Sequence, residues 1–196
     1  SGHGYSSFYT KHLEGYKNKK INILEIGSYA GASAAALTKY LPHSKVFCFD
    51  INISNFRYKS KNIFVYGVDA NNKIKINKII KKIFSENNFE KFDIIIDDGS
   101  HLLSDIIQNL NYFFKNLKSG GIYVIEDFKH PNYYKYNRNI NEIFIDEMLN
   151  NFKNKKFFRS NLLSQDDQQY LIKNIFKIDI FKGNLTDSDI CFLKKN

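Results

Sequence analysis

Two apolar runs, Ile94–Ile96 and Ile122–Ile125, each lead straight into a pair of acids, in FDIIIDDGSH and in SGGIYVIEDF. Each run has the length of one strand buried on both faces of a parallel sheet. If the two strands are neighbours about 5 Å apart, then Asp97, Asp98, Glu126 and Asp127 converge at one sheet edge, with His101 three residues beyond Asp98. Carboxylates gathered in this way repel one another, so a cation or several donors must hold them. That edge is where open α/β sheets bind ligands.

At 196 residues the chain is expected to form one domain, and 43% hydrophobic with 16% aromatic residues argues for a folded globule. No apolar run approaches the ~20 residues of a membrane span, and no signal-peptide pattern is present. The expectation is a cytoplasmic protein with no membrane partner. The chain opens at Ser1-Gly2-His3 without a methionine, which reads as a boundary or a truncation. Cys48 and Cys191 lie in separate strand-like runs and read as buried thiols of a reducing compartment. The net charge of +9 raises the question of an RNA partner. However, the lysines are dispersed over Lys17–Lys20, Lys73–Lys82 and Lys153–Lys156, among Asn, Ile, Phe and Tyr, as an AT-rich coding sequence also produces. A solvated face is the preferred reading, and nucleic acid is not favoured.

Strand and helix signals alternate. Strands are expected at Ile21–Ile26, Val46–Ile51, Ile63–Tyr66 and Phe92–Ile96, with a fifth entered through Gly120-Gly121. Helices are expected at Ala32–Leu41, Ile74–Phe84 and Leu102–Leu117, the last strongly amphipathic. Such alternation implies a doubly wound parallel sheet with helices on both faces. Residues 1–20 read as an amino-terminal helical segment, with a short helix at Tyr5–Leu13. Lys129–Asn139 reads as a loop, Ile140–Phe152 as a helix and Asn161–Tyr170 as undecided, so that 129–170 forms a variable substrate or lid region. Ile175–Phe181 and Ile190–Leu193 suggest a closing antiparallel hairpin.

The segment Leu24–Gly31 follows a strand and opens a helix. Gly27 and Gly31 let backbone approach a ligand, and Ser28 stands at the helix entrance. The spacing is Glu-x-Gly-x-x-x-Gly, not that of a dinucleotide fold. Glu25 would repel a phosphate but accept from an ammonium group. Asp50, followed by Ile51, ends the second strand, where an acid receives ribose hydroxyls, and Asp69 is a candidate acceptor for an exocyclic amine. A cationic, phosphate-free adenosine compound, S-adenosylmethionine, fits these acids better than NAD. The plain alternatives are a generic glycine turn, a strand-end turn residue at Asp50 and a loop cap at Asp69.

On these residues the chain resembles class I S-adenosylmethionine-dependent methyltransferases. More closely, it is similar to the metal-dependent O-methyltransferases of antibiotic sugars, of macrocin and mycinamicin type, and to the cephalosporin-hydroxylase-like group. The matching segments are His3-Gly4-Tyr5 with Phe8-Tyr9, Leu24–Gly31, Phe49-Asp50-Ile51, Gly67–Asp69, Ile96–His101 and Gly120–Asp127. The resemblance implies a Rossmann-like sheet of seven strands, mostly parallel, with a C-terminal antiparallel hairpin. It implies magnesium (or manganese) on Asp98, Glu126 and Asp127, with His101 as general base. It puts Asp97 near the methionine part of the cofactor or beside the metal, and Tyr5 on the cofactor side of the cleft. The antibiotic-sugar enzymes carry an additional amino-terminal portion that these residues lack, so assembly, a homo-oligomer included, stays open.

The chemistry suits these residues. Methyl transfer to an oxygen needs alignment and a better nucleophile than a neutral alcohol. A hard cation on carboxylates lowers the hydroxyl pKa, and a histidine takes the proton. The acceptor implied is a small hydroxylated, sugar-like molecule. Alternatives are a metal-free enzyme using His101 alone, an RNA methyltransferase, and a cofactor-binding subunit without catalysis. His101 is also open to a role as a satisfied helix-terminal residue, and the acids to roles as caps and salt-bridge partners. His12, His43 and His130 read as structural or exposed, and His130 with Tyr133, Tyr134 and Tyr136 is open equally to a lid over substrate and to a mobile surface loop.

Overall fold

The structure, a computed structural model, describes residues 2–196. In chain order the elements begin with Ser6–Leu13 (α1), Ile21–Ile26 (β1), Ala32–Tyr40 (α2), Ser44–Asp50 (β2), Ile63–Gly67 (β3) and Lys73–Asn87 (α3). Phe92–Asp97 (β4), Leu103–Phe113 (α4), Leu117–Ile125 (β5) and His130–Tyr133 (α5) follow, then Ile145–Lys153 (α6), Gln165–Asn174 (α7), Ile175–Lys182 (β6) and Asp189–Lys195 (β7). The strands form one seven-stranded sheet in the order β3-β2-β1-β4-β5-β7-β6. β1 to β5 pair in parallel, and β7 lies antiparallel between β5 and β6. This is the seven-stranded, mostly parallel fold expected from the sequence, closed by its hairpin.

The two-residue period of the strands sends side chains alternately to two cores. Along β1, Leu24 and Ile26 enter the core on the side of α3, α4, α6 and α7, whereas Ile21 and Ile23 enter the core on the side of α1 and α2. Each fully buried Leu, Ile or Phe contributes about 1.5–3 kcal/mol to this packing. Cys48 and Cys191 are free, buried and assigned to opposite cores. No helix among the described residues is long and apolar enough to cross a membrane.

Several boundaries differ from the sequence expectation. The amphipathic run Leu102–Leu117 is helical only to Phe113. Phe114 and Leu117 are buried in the turn and strand that follow, so the apolar spacing outlives the helix. Gly120 and Gly121 lie inside β5, in a bulge where the step Leu117 to Ile122 faces only Phe92 to Ile94. The helix expected from Ile140 starts at Ile145; Ile140, Ile143 and Phe144 pack on the core without helical backbone. The undecided Asn161–Tyr170 region becomes α7, capped by the Ser164 hydroxyl, which accepts from the Asp167 N–H at 3.1 Å. Strand order reverses between β1 and β4, and the crevice at their carboxyl ends follows from that reversal.

Candidate active site

The floor of the crevice is made where two backbones touch. Gly27 has φ +85°, and a Cβ there would lie 1.9 Å from the Asp98 carbonyl oxygen. Asp98 N–H in turn donates to the Ile26 carbonyl at 2.9 Å. Only glycine permits both the conformation and the contact. Gly31, at φ +81°, starts α2 against the Phe56 ring. Above this floor is a cleft of about 440 Å³ lined by Gly27, Asp50, Ile51, Asp69 and Asp98, among others. Asp50 accepts from the Tyr29 and Asn52 N–H groups at 2.7 and 2.8 Å, and Asp69 accepts from the Asn71 N–H at 2.8 Å. Ile51 presents a 76% exposed apolar side chain at the wall.

Glu25 and Ser28 are buried beneath this loop and do not line the cleft. The Cys48 thiol lies 3.6 Å from the Glu25 carboxylate, and the Ser28 hydroxyl donates to the Glu25 carbonyl at 3.5 Å. Burial pushes the Glu25 carboxyl above the usual range. Glu25 shares its face of the sheet with Ile23, so it sits on the side from which α1 approaches Asp98 and Glu126.

Three ligand atoms converge just past the cleft, on Asp98, His101 and Asp127, all within 4.8 Å of one another. His101 Nε2 is 3.7 Å from Asp98 Oδ1. His101 and Asp127 both hold left-handed backbone, φ +55° and +49°, a conformation that costs most non-glycine residues energy and clusters at working sites. The Tyr5 hydroxyl donates to Asp127 Oδ1, and His3 Nδ1 lies 3.2 Å from the same oxygen. Glu126 adjoins the group, but its carboxylate is not one of the three. The Tyr9 hydroxyl donates to its Oε1 at 2.6 Å.

Burial raises the carboxyls of Asp98 and Glu126, and mutual repulsion with Asp127 and Glu25 raises them further. Burial, then the adjacent His130, pushes His101 down to about 4. Buried, mutually repelling carboxylates are donors that a hard divalent cation fits, and the neutral imidazole beside them is left able to accept a proton.

Asp97 goes elsewhere. It points to the α4 face, where Asn109 Nδ2 and the Tyr123 hydroxyl lie 3.3 and 3.4 Å from its oxygens, and burial pushes it up to about 7. It lines neither the cleft nor the three-residue cluster. Tyr5 meets Asp127 rather than the cleft wall. His130, read from sequence as structural or exposed, packs its ring 4.6 Å from that of His101. His3 and Tyr9 stand in segments that carry the resemblance, but no ligand spacing gives them or His130 a role, because each meets its partner only through the fold.

The raised acids have a consequence for stability. Asp97, Asp98 and Glu126 hold protons more tightly folded than unfolded. Their contribution is complete below the unfolded value of about 4 and is lost as pH rises through the folded values, near 7 for Asp97. His101 acts oppositely, but it is mostly neutral in both states above about 6.5. Between pH 6.5 and 8 the loss from the three acids exceeds what unfolded His101 and His12 still add as they finish deprotonating. The melting temperature of the divalent-free chain is therefore expected to fall by a few degrees. Magnesium at the cluster should remove the part of that fall carried by Asp98 and Glu126 and leave the part due to Asp97, which lies outside it. A melting temperature flat with pH, and indifferent to magnesium, would count against the cluster as a cation site.

Residues 17–189 match the model of a family described as a methyltransferase domain. Among curated proteins, mycinamicin VI 2''-O-methyltransferase of Micromonospora griseorubida is 26% identical over 132 residues, covering 64% of this chain and 31% of that protein. L-olivosyl-oleandolide 3-O-methyltransferase of Streptomyces antibioticus is 31% identical over 132 residues, covering 64% of this chain and 32% of that protein. The chain thus spans about a third of the length of these relatives. Among solved structures, the MycE methyltransferase of the mycinamycin biosynthetic pathway, in complex with Mg and SAH, aligns with a TM-score of 0.74 at 20% identity, over 98% of this chain and 49% of that one. At that identity the likeness establishes the fold.

Proposed function

The chain belongs to the methyltransferase-domain family, and we propose that it is an S-adenosylmethionine-dependent O-methyltransferase that uses magnesium or manganese to act on a hydroxyl of a small, sugar-like molecule. One observation carries this reading: Asp98 both lines the nucleoside-sized cleft and belongs to the cluster with His101 and Asp127. A donor in the cleft and an acceptor at the cluster therefore meet across one residue. The names of the relatives, O-methyltransferases that include those of an L-olivosyl and an α-L-rhamnosyl compound, support the acceptor class.

In this reading Asp50 receives the ribose hydroxyls, Asp69 the exocyclic amine, and Ile51 packs on the base. The Gly27 turn admits the ligand close to backbone, and Glu25 beneath it supplies negative potential to a cationic methionine moiety. Asp98 and Asp127, with Glu126 beside them, hold the divalent ion, which when bound acidifies and orients the acceptor hydroxyl. Tyr5, His3 and Tyr9 fix the carboxylates. His101 accepts the departing proton. Held near 4, it is too weak a base for an unassisted alcohol, which favours the cation-dependent reading over His101 alone. In this reading the segment 129–139 covers the acceptor side, while α6 and α7 pack in the core beside α4 and β6.

The test is calorimetric binding of S-adenosylhomocysteine, followed by transfer of labelled methyl to a panel of glycosides with magnesium and with chelator. Transfer that chelator leaves untouched would remove the metal. Asp50→Ala is expected to weaken S-adenosylhomocysteine binding about tenfold or more, since a charge-assisted pair is worth roughly 1.5–3 kcal/mol. Unchanged affinity would remove the cofactor site as drawn.

A further inference from the structure

From His101 outward, aromatic rings continue to solvent without a break. His101 and His130 have centroids 4.6 Å apart, His130 and Tyr134 5.2 Å, and Tyr134 and Tyr136 5.4 Å in a stacked arrangement. The last ring is 73% exposed. None of these four rings lines the nucleoside-sized cleft, although Asp98, 3.7 Å from His101, does.

The ladder is also held in place. The Tyr134 hydroxyl donates to Asp187 at 2.6 Å, and His130 Nε2 lies 3.7 Å from the same carboxylate. The adjacent Tyr133 hydroxyl donates to the buried Asp189 at 2.8 Å, and Lys182 Nζ donates to that oxygen at 2.7 Å. Arg138 closes the loop on the carbonyls of Pro131 and Asn132. Every ring but the outermost is therefore anchored to the β6–β7 hairpin or packed beside His101. A rigid aromatic surface costs little entropy when a ligand settles on it.

We infer that this ladder is the acceptor-binding subsite, that the ring carrying the reacting hydroxyl lies against His101, and that Tyr136, three rings further out, is a specificity-determining residue that stacks on the C–H face of a second, more distal pyranose ring of the same acceptor. This deepens the O-methyltransferase reading and rests on it. The chemistry favours a sugar over a flat apolar group. The platform is one ring wide, and beside it Asp187 Oδ1 and Arg138 Nη1, which take no part in the contacts above, can pair with hydroxyls but would be desolvated without return under an apolar cover. A pyranose offers one apolar face and a rim of hydroxyls to both kinds of surface.

The experiment uses the whole chain saturated with S-adenosylhomocysteine and magnesium, with methyl α-L-rhamnopyranoside as the probe, read by saturation-transfer NMR. Ring C–H protons should receive saturation. Tyr136→Ala should weaken probe binding about three- to tenfold, the scale of one aromatic stacking contact, and Tyr136→Phe should retain it. No transfer to the wild-type complex, or equal binding by Tyr136→Ala, would overturn the inference. Calorimetry of S-adenosylhomocysteine on the same samples keeps the two readings apart, because loss of that binding in wild type sinks the methyltransferase assignment and not the platform alone. Tyr136 is exposed enough that circular dichroism of the alanine variant should match wild type.

Discussion

Asp98→Asn is expected to lower methyl transfer by about a thousandfold or more, to leave S-adenosylhomocysteine affinity within about threefold, and to raise the melting temperature of the divalent-free chain. The first effect follows from removing a charged oxygen from the Asp98, His101 and Asp127 group. Oriented charge of this kind supplies several kcal/mol to a reaction that develops an alkoxide. The second follows because asparagine keeps the shape of the cleft wall, and the Asp98 backbone contacts to Gly27 and Ile26 are unaffected. The third follows from electrostatics: Asp98 is raised by burial and by Glu126, Asp127 and Glu25, so a neutral side chain relieves repulsion that the folded chain otherwise bears. Labelled-methyl transfer, calorimetry and a thermal melt check the three separately. Activity within tenfold of wild type would mean that the cation is not held through Asp98. Loss of activity together with a lower melting temperature would point to a structural role instead.

The sheet and its ligand edge were legible because buried parallel strands announce themselves as short apolar runs, and the acids at their ends mark the carboxyl edge. The division of labour among those acids was legible only in part. The pleat puts Asp97 with Ile95 on the α4 face, while Glu126 continues the Val124 side toward α1. Counting two residues along β4 would have separated Asp97 from its neighbour; treating the four acids as one set did not. The other partners were beyond local pattern. His3 and Tyr5 reach Asp127 across more than 120 residues, and Tyr9 reaches Glu126 across 117.

The β6–β7 turn explains much of what was missed. The Asn184 N–H donates to the His3 carbonyl at 2.8 Å, so the turn supports the segment that carries His3 and Tyr5. Its Asp187 takes the Tyr134 hydroxyl, so the same turn supports the segment beyond β5. In sequence Gly183-Asn184 and Asp187-Ser188-Asp189 read as ordinary turn material. In space they tie both flanks of the site to one hairpin.

Gly27→Ala should cost about 2–5 kcal/mol and abolish S-adenosylhomocysteine binding, and a comparison with Gly120→Ala shows why. Both glycines hold positive φ, +85° and +75°, which by itself costs an alanine about 1–2 kcal/mol. At Gly120 nothing lies within 4 Å of the new methyl group, so that conformational cost is the whole effect. At Gly27 the methyl group would lie 1.9 Å from the Asp98 carbonyl oxygen and 2.8 Å from the Gly99 Cα. Those atoms are main chain and cannot swing aside, so the β4 loop must be displaced at a further cost of roughly 1–3 kcal/mol. The loop that moves carries Asp98 and leads to His101, so the cleft floor and the acid cluster are disturbed together. Denaturant melts of the two variants isolate the contact, since the conformational cost is common to both and cancels in the difference. Equal midpoints would show that the β1 and β4 loops do not pack backbone on backbone, and the geometry that joins cleft to cluster would lose its support.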